Sequence, residues 1–197
     1  MKYYLKGATR VENQNKKETN RFSFLDFIEM FTIAMSVVLI VFSFFFRQTV
    51  VDGDSMMNTL QNEERLLITN CFYTPQKSDI IVFQTTETGR KYPLVKRIIA
   101  TEGDVIRIEK HGIYVNGELL SEPYAYTTNP NYVYQDGLMS CFNLGKDYTV
   151  PEDHIFVLGD HRDNSADSRT FGFIPENSIL GHVFLRIMPL SEFGFVD

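Results

Sequence analysis

Three short stretches of the chain carry side chains whose types and spacing could do chemistry. Val50-Val51-Asp52-Gly53-Asp54-Ser55-Met56 sets Ser55 close after Gly53, where the backbone can turn tightly or approach a substrate. Leu94-Val95-Lys96-Arg97-Ile98-Ile99 places two cations inside an aliphatic run. Gly159-Asp160-His161-Arg162-Asp163-Asn164-Ser165-Ala166-Asp167-Ser168-Arg169 alternates acids and bases at high density. A serine beside a glycine can serve as a nucleophile, and a lysine, once neutral, as a base.

The second stretch reads as a strand with a period of two. Leu94, Lys96 and Ile98 share one face, and Val95, Arg97 and Ile99 the other, so each face holds one cation between aliphatic residues. Periodicity does not choose between them, and both cations could also run out to water along a sheet edge. Their chemistry differs, however. Burial disfavours an ammonium and promotes its deprotonation, whereas a guanidinium stays charged. Only Lys96 could serve as a neutral general base near neutral pH. The third stretch is either a solvated loop or a buried ion-pair network that fixes a site. A calcium loop is excluded, because Arg162 occupies the third position from Asp160, where an oxygen ligand is required.

Nothing in the sequence points to a metal or another cofactor. There is no C-x-x-C and no close histidine pair, and His111, His154, His161 and His182 are scattered, as surface or hydrogen-bonded histidines are. Cys71 and Cys141 could form one disulfide in an oxidising space or stay unpaired; their spacing is not diagnostic.

The elements that must position these stretches are mostly strands. Short aliphatic and β-branched runs bounded by turn residues predict strands at Arg65–Thr69, Ile80–Thr85, Leu94–Ala100, Val105–Glu109, Ile113–Val115, Glu118–Leu120, Ile155–Leu158 and Val183–Met188. Asn116-Gly117 predicts a type I′ hairpin, whose two central residues need positive φ. The polar, Tyr-rich stretch from Ser121 to Tyr148 is expected as an extended loop or a peripheral excursion. No segment after Phe46 sustains a helical stripe.

The N-terminal part is different. Met30 to Phe46 has no charged residue, and eight of the chain's 17 phenylalanines lie between Phe22 and Phe46. A spanning helix needs about 20 mostly apolar residues, with ~17 as the lower bound. The run leaves through Phe44-Phe45-Phe46-Arg47 without a small-residue cleavage site, so it is expected to stay as an anchor. Lys2, Lys6, Arg10, Lys16, Lys17 and Arg21 precede it, which orients the N-terminus towards the cytoplasm. The expected organisation is a cytoplasmic segment over 1–26, a single transmembrane anchor over 27–47 in the lipid bilayer, and a β-rich extracytoplasmic domain over 48–197. Charge divides in the same way. Residues 1–47 carry 7 Lys and Arg against 4 Asp and Glu, and residues 48–197 carry 12 against 21, for a total of −6. So acidic an exported part excludes a nucleic-acid partner.

Together the three stretches resemble the type I signal peptidases, membrane-bound Ser–Lys endopeptidases, in the single-span form of Gram-positive bacteria. The similarity rests on Gly53-Asp54-Ser55-Met56 with Thr59-Leu60, on Ser78-Asp79-Ile80-Ile81-Val82-Phe83, on Lys96-Arg97-Ile98-Ile99 with Gly103-Asp104, and on Gly159 to Arg169. Tyr114-Val115-Asn116-Gly117 and the run from Gly181 to Pro189 also follow the family pattern. The resemblance implies a mostly β fold: one N-terminal transmembrane helix followed by an antiparallel β-sheet catalytic domain. It implies Ser55 as nucleophile and Lys96 as general base, with Ser165 orienting Lys96. Asp167, Arg169 and Asp163 would form a supporting ion-pair group, with Gly53 and Met56 flanking the nucleophile. Val51, Asp52, Leu60, Leu94 and Val95 align with positions that line the substrate pocket. The implied partners are the signal peptides of secretory precursors, cut after small residues close above the bilayer.

The sequence departs from that pattern at several positions. Asn58 and Glu102 stand where proline is usual, Ala100 where glycine is usual, and His161 where asparagine is common. Gly53 has no side chain to donate to an oxyanion, which leaves the Ser55 N–H for that task. Related proteins that assist pilus assembly supply an alternative, an assembly factor for pilin subunits with little general processing. A self-cleaving Ser–Lys repressor is disfavoured by the apolar span and by the lack of a DNA-binding head.

Overall fold

The computed structural model describes residues 24–84 and 92–196. The basic residues expected to orient the N-terminus, from Lys2 to Arg21, lie outside the described residues, as does Thr85 at the end of one predicted strand. The chain divides into two units, one ending at Phe44 and the other beginning at Phe45.

Helix α1, Phe24–Phe45, has no glycine or proline to interrupt it. Its 22 residues span ~33 Å at about 1.5 Å per residue, enough to cross a hydrocarbon layer of about 30 Å. None of its residues is buried by protein. Its few hydroxyls turn inward on the helix: Thr32 Oγ1 donates to the Ile28 carbonyl at 2.7 Å, Ser36 Oγ to that of Thr32 at 2.8 Å, and Ser43 Oγ to that of Ile40 at 2.7 Å. The helix starts three residues earlier than the predicted anchor and stops two earlier. Phe46 and Arg47 instead open strand β1.

The strands of the second unit pair antiparallel in two sheets. Its larger sheet runs in the order β1 (Phe46–Val50), β2 (Arg65–Thr69), β11 (Ile179–Met188), β3 (Ile80–Phe83), β4 (Leu94–Ala100), β9 (His154–Leu158) and β10 (Ile174–Pro175), with β12 (Gly194–Phe195) added to β11. The smaller sheet orders β7 (Glu118–Leu119), β6 (Gly112–Val115), β5 (Val105–Glu109) and β8 (Asp147–Thr149). Every predicted strand is present within a few residues of its expected ends. Asn116 and Gly117 take φ of 54° and 84°, as the hairpin between β6 and β7 requires.

Three apolar clusters hold the sheets. Ile80 and Val82 of β3 pack with Val51, Met56, Leu60, Leu66, Ile68 and Val183. The alternate residues Ile81 and Phe83 pack with Ile98, Ile155, Val157 and Ile174. Strand β3 is therefore buried on both faces, which explains why it reads as a continuous apolar run. The third cluster joins Ile99 and Phe156 to Ile106, Ile108, Ile113 and Val150 around the smaller sheet.

That third cluster corrects one expectation. The excursion after Ser121 is not peripheral, because Tyr134, Met139 and Phe142 are buried in the core of the smaller sheet. The Phe142 ring meets those of Phe156 and Phe173 edge to face, both with centroids at 5.3 Å. Its backbone also pairs with the larger body through a parallel bridge between Tyr126 and His161. A short helix, α2 (Ser168–Phe171), follows the dense charged stretch and is capped by the Asp167 side chain.

Candidate active site

The turn between β1 and β2 carries Ser55. Gly53 enters it with φ of +92°, in the left-handed region that favours glycine, and its N–H donates to Asn62 Oδ1 at 2.8 Å. Val51 and Glu64 close the base of the turn, with the Val51 N–H 2.9 Å from the Glu64 carbonyl oxygen. Met56 and Leu60 sink into the core at 1% and 0% exposure, which fixes the short stretch on which Ser55 stands. Ser55 itself is only half-buried.

Strand β4 delivers Lys96, opposite Ile81 of β3. The lysine is 2% exposed, its Nζ lies 2.7 Å from Ser55 Oγ, and it donates to its neighbour's carbonyl, Val95 O, at 2.8 Å. Arg97 is also 2% exposed, so neither cation runs to water. Arg97 is paired instead: Nε and Nη2 reach the two carboxylate oxygens of Asp160 at 3.0 and 2.9 Å. Thr59 Oγ1 donates to the same carboxylate at 2.6 Å, and Arg97 Nη1 to the Ser78 carbonyl at 2.8 Å. The ring of Tyr124, its hydroxyl pushed up to about 12 by burial, lies 4.1 Å from the Arg97 guanidinium carbon. One face of β4 thus offers an amine to Ser55, while the next residue ties the strand to the charged stretch.

A cavity of about 200 Å³ opens beside the serine and lysine. Val51, Asp52, Leu94 and Val95 line it together with Ser55, Met56 and Lys96, and Thr49, Val50, Tyr92 and Pro93 complete it. Leu60, expected in the wall, is fully buried in the core beneath. Asp52 is exposed.

The dense charged stretch is a buried network, not a solvated loop. Asp167, wholly buried, receives Arg169 Nε at 2.8 Å and Nη2 at 2.7 Å, and the Gly159 N–H at 3.1 Å. Burial pushes the Asp167 carboxyl up, but the Arg169 charge and these hydrogen bonds outweigh it and hold the group below its ordinary 3.8. Arg169 also donates to the Arg162 carbonyl at 2.7 Å and to Tyr132 Oη at 2.8 Å. Arg162 forms a buried pair with Glu122 of the excursion. Asp163 does not join Asp167 and Arg169. It accepts the N–H groups of Thr128 and Asn129 at 3.0 and 2.8 Å and faces His161. Ser165 Oγ is buried but makes no hydrogen bond of ordinary geometry, so its expected bond to Lys96 is not formed. It lies close enough to Asp167 to help hold that carboxyl down.

Several positions around the site escaped the sequence. Arg97 and Asp160 lay in the singled-out stretches, but periodicity gave no sign that they pair. Glu122, Tyr124 and Thr128 belong to the excursion and come to the site only through tertiary folding. Gly159 lies hard against Ser55, since a Cβ there would come within 2.5 Å of the Ser55 carbonyl oxygen. Two of the departures lie at the margins. Asn58 is exposed and follows a cis peptide bond, and the exposed Glu102 accepts the Asp153 N–H at 3.1 Å. Cys71 and Cys141 are free thiols. Among the described residues, no group of three or more His, Cys, Asp or Glu is arranged to hold a metal.

The family model described as signal peptidase, peptidase S26, matches residues 24–188. The chain belongs to the signal peptidase family. Membership places it among the serine proteases of signal peptidase type. Relatives include a probable signal peptidase I-2 of Synechocystis sp., 31% identical over 95% of this chain and 84% of that protein. Signal peptidase I of Bacillus caldolyticus is 39% identical over 83% of this chain and 91% of its own length. Signal peptidase I S of Bacillus subtilis is 34% identical over 93% and 97%. Among solved structures, the crystal structure of a signal peptidase I from Enterococcus faecalis V583 is 33% identical. It covers 56% of this chain and 97% of that one, with a TM-score of 0.45.

Proposed function

We propose that this protein is a membrane-anchored endopeptidase that removes N-terminal signal peptides from exported precursors through a Ser55–Lys96 dyad. The observation that carries the proposal is the 2.7 Å contact between Lys96 Nζ and Ser55 Oγ at the wall of a small cavity. Lys96 is 2% exposed, and in its uncharged form a buried amine at this distance can accept the serine proton. Ser55 Oγ then attacks the peptide carbonyl, Lys96 passes the proton to the departing amine, and water attacks the acyl-enzyme in the reverse sense. No histidine is required, as in other Ser–Lys variants of the triad. The Ser55 N–H serves the developing oxyanion. A cavity of about 200 Å³ lined by Val51, Leu94 and Val95 suits small side chains beside the scissile bond.

Helix α1 is the anchor in this reading. Its length and its wholly unburied apolar surface support residence in lipid. The basic head supports a cytoplasmic N-terminus, with the β domain on the other side, where a precursor held by its own apolar segment arrives at high effective concentration.

The test supplies a panel of exported precursors to the detergent-purified full chain, to Ser55→Ala and to Lys96→Ala. Cleavage after small residues by wild type alone is expected. A wild-type protein that cuts nothing, or a variant that still cuts, sinks the proposal. Stable capture of pilin subunits without cleavage would turn the assignment towards assembly.

A further inference from the structure

His161 neighbours Ser55 without reaching its hydroxyl, and the mechanism above gives it no part. It is 4% exposed. Its backbone N–H donates to the Ser55 carbonyl at 3.1 Å, and its Nδ1 lies 3.0 Å from the Asp54 carbonyl oxygen. Nε2 lies 2.8 Å from Thr128 Oγ1 and 3.2 Å from Asp163 Oδ1. The ring therefore spans two separate parts of the chain, the nucleophile turn and the excursion. Tyr126 supports it from the excursion, with its ring centroid 4.9 Å from the imidazole. The Tyr126 N–H donates to the Asp160 carbonyl at 2.7 Å, and its carbonyl accepts from the Arg162 N–H at 2.8 Å.

We propose that His161 is a positioning residue that fixes the backbone on both sides of Ser55 Oγ and ties it to the excursion at Thr128 and Asp163. A carbonyl oxygen only accepts, so Nδ1 must carry hydrogen, and it does so whether the ring is neutral or charged. Neutral Nε2 accepts from the Thr128 hydroxyl, and charged Nε2–H faces the Asp163 carboxylate. Both ring nitrogens are thus committed to positioning, and the Ser55 proton is left to Lys96. With its N–H on Ser55 O and Nδ1–H on Asp54 O, His161 holds two consecutive peptide units. Misplacement of the serine by a fraction of an ångström is what this pair of bonds prevents.

The inference rests on the Ser55–Lys96 reading for its kinetic consequence, but its structural content is separable. Asparagine places an amide N–H near the position of Nδ1. Glutamine places its amide near Nε2 instead. In the detergent-purified full chain, His161→Asn is expected to keep kcat within about threefold of wild type. His161→Gln is expected to lower kcat by about tenfold to a hundredfold with KM little changed. Amide hydrogen exchange across Gly53–Met57 is expected to quicken at least tenfold in His161→Gln and to stay near wild type in His161→Asn. Equal loss in the two variants, or unchanged kcat and exchange in His161→Gln, overturns the proposal. If wild type cuts no precursor, the processing function fails, and the exchange comparison alone decides the role of His161.

Discussion

Gly159 and Ser55 are packed so closely that the smallest side chain on the glycine would meet the serine backbone. A Cβ there would lie 2.5 Å from the Ser55 carbonyl oxygen and closer still to Ser165 Oγ. The Ser55 carbonyl is already fixed by the His161 N–H, so the turn that carries Ser55 has little room to withdraw. Gly159→Ala is expected to destabilise the protein by about 1–3 kcal/mol through overpacking. Cleavage of a precursor should fall at least ~tenfold, because relief comes by moving Ser55. Urea unfolding and single-turnover cleavage of the full chain in detergent check this. Wild-type turnover in the variant would show that the turn yields freely.

The buried pair of Arg97 and Asp160 supports a second expectation. Both are almost wholly buried, and the carboxylate is shared by Arg97 and Thr59. Removing one partner leaves an uncompensated charge in the interior, so Asp160→Asn or Arg97→Met should each lose about 3–5 kcal/mol. The double variant should lose clearly less than the sum, since it strands no charge. Chemical denaturation of the four proteins measures the coupling. Additive losses would mean that the two side chains act independently, against the geometry.

Acid should attack the site through Asp167. Its native carboxyl titrates below the ordinary 3.8, so between the two values the unfolded chain holds more protons than the native one. The stability supplied by the Arg169 pair is therefore complete above pH 3.8 and is lost as pH falls through the native value. Asp167→Asn should remove this part of the acid dependence. At pH 7 it should lose about 3–5 kcal/mol, because Arg169 is left buried without its counter-charge. Unfolding midpoints from pH 7 down to pH 2.5, in both proteins, test the sign. An unchanged acid slope in the variant would remove Asp167 as its source.

How much of this was legible in the sequence depends on the range of the interaction. The strands of β3 and β4 and the hairpin at Asn116-Gly117 are written in local pattern, and they emerge as read. Strand β1 was missed because Arg47-Gln48-Thr49 has no apolar alternation; it exists through its register with β2, Arg47 facing Ile68 and Thr49 facing Leu66. The predicted strand Val183–Met188 had to be extended back by four residues to Ile179, through Gly181, where a Cβ would come 3.1 Å from the Thr69 carbonyl oxygen. At the site, Lys96 was separable from Arg97 only by chemistry, and the partner that buries Arg97 stands 63 positions away. The excursion looked peripheral because its anchors, Tyr134, Met139 and Phe142, are spaced irregularly. Their burial depends on the smaller sheet, which a local pattern does not encode.

The cavity wall gives a test of specificity. Leu94 is half-buried at the start of β4 and lines the space beside Ser55 and Lys96. A wall residue discriminates by about 1–3 kcal/mol per methylene of substrate, or roughly 10–200-fold. Leu94→Ala should therefore raise cleavage of a precursor carrying leucine at the cut site at least ~tenfold relative to one carrying alanine. Leu94→Trp should do the reverse, raising KM for every precursor by filling the space. Val95 also lines the cavity, but its carbonyl holds Lys96 Nζ at 2.8 Å, so changes there would mix specificity with chemistry. Competition between the two precursors in one tube measures the ratio directly. An unchanged ratio in both Leu94 variants would place the discriminating wall elsewhere among the lining residues.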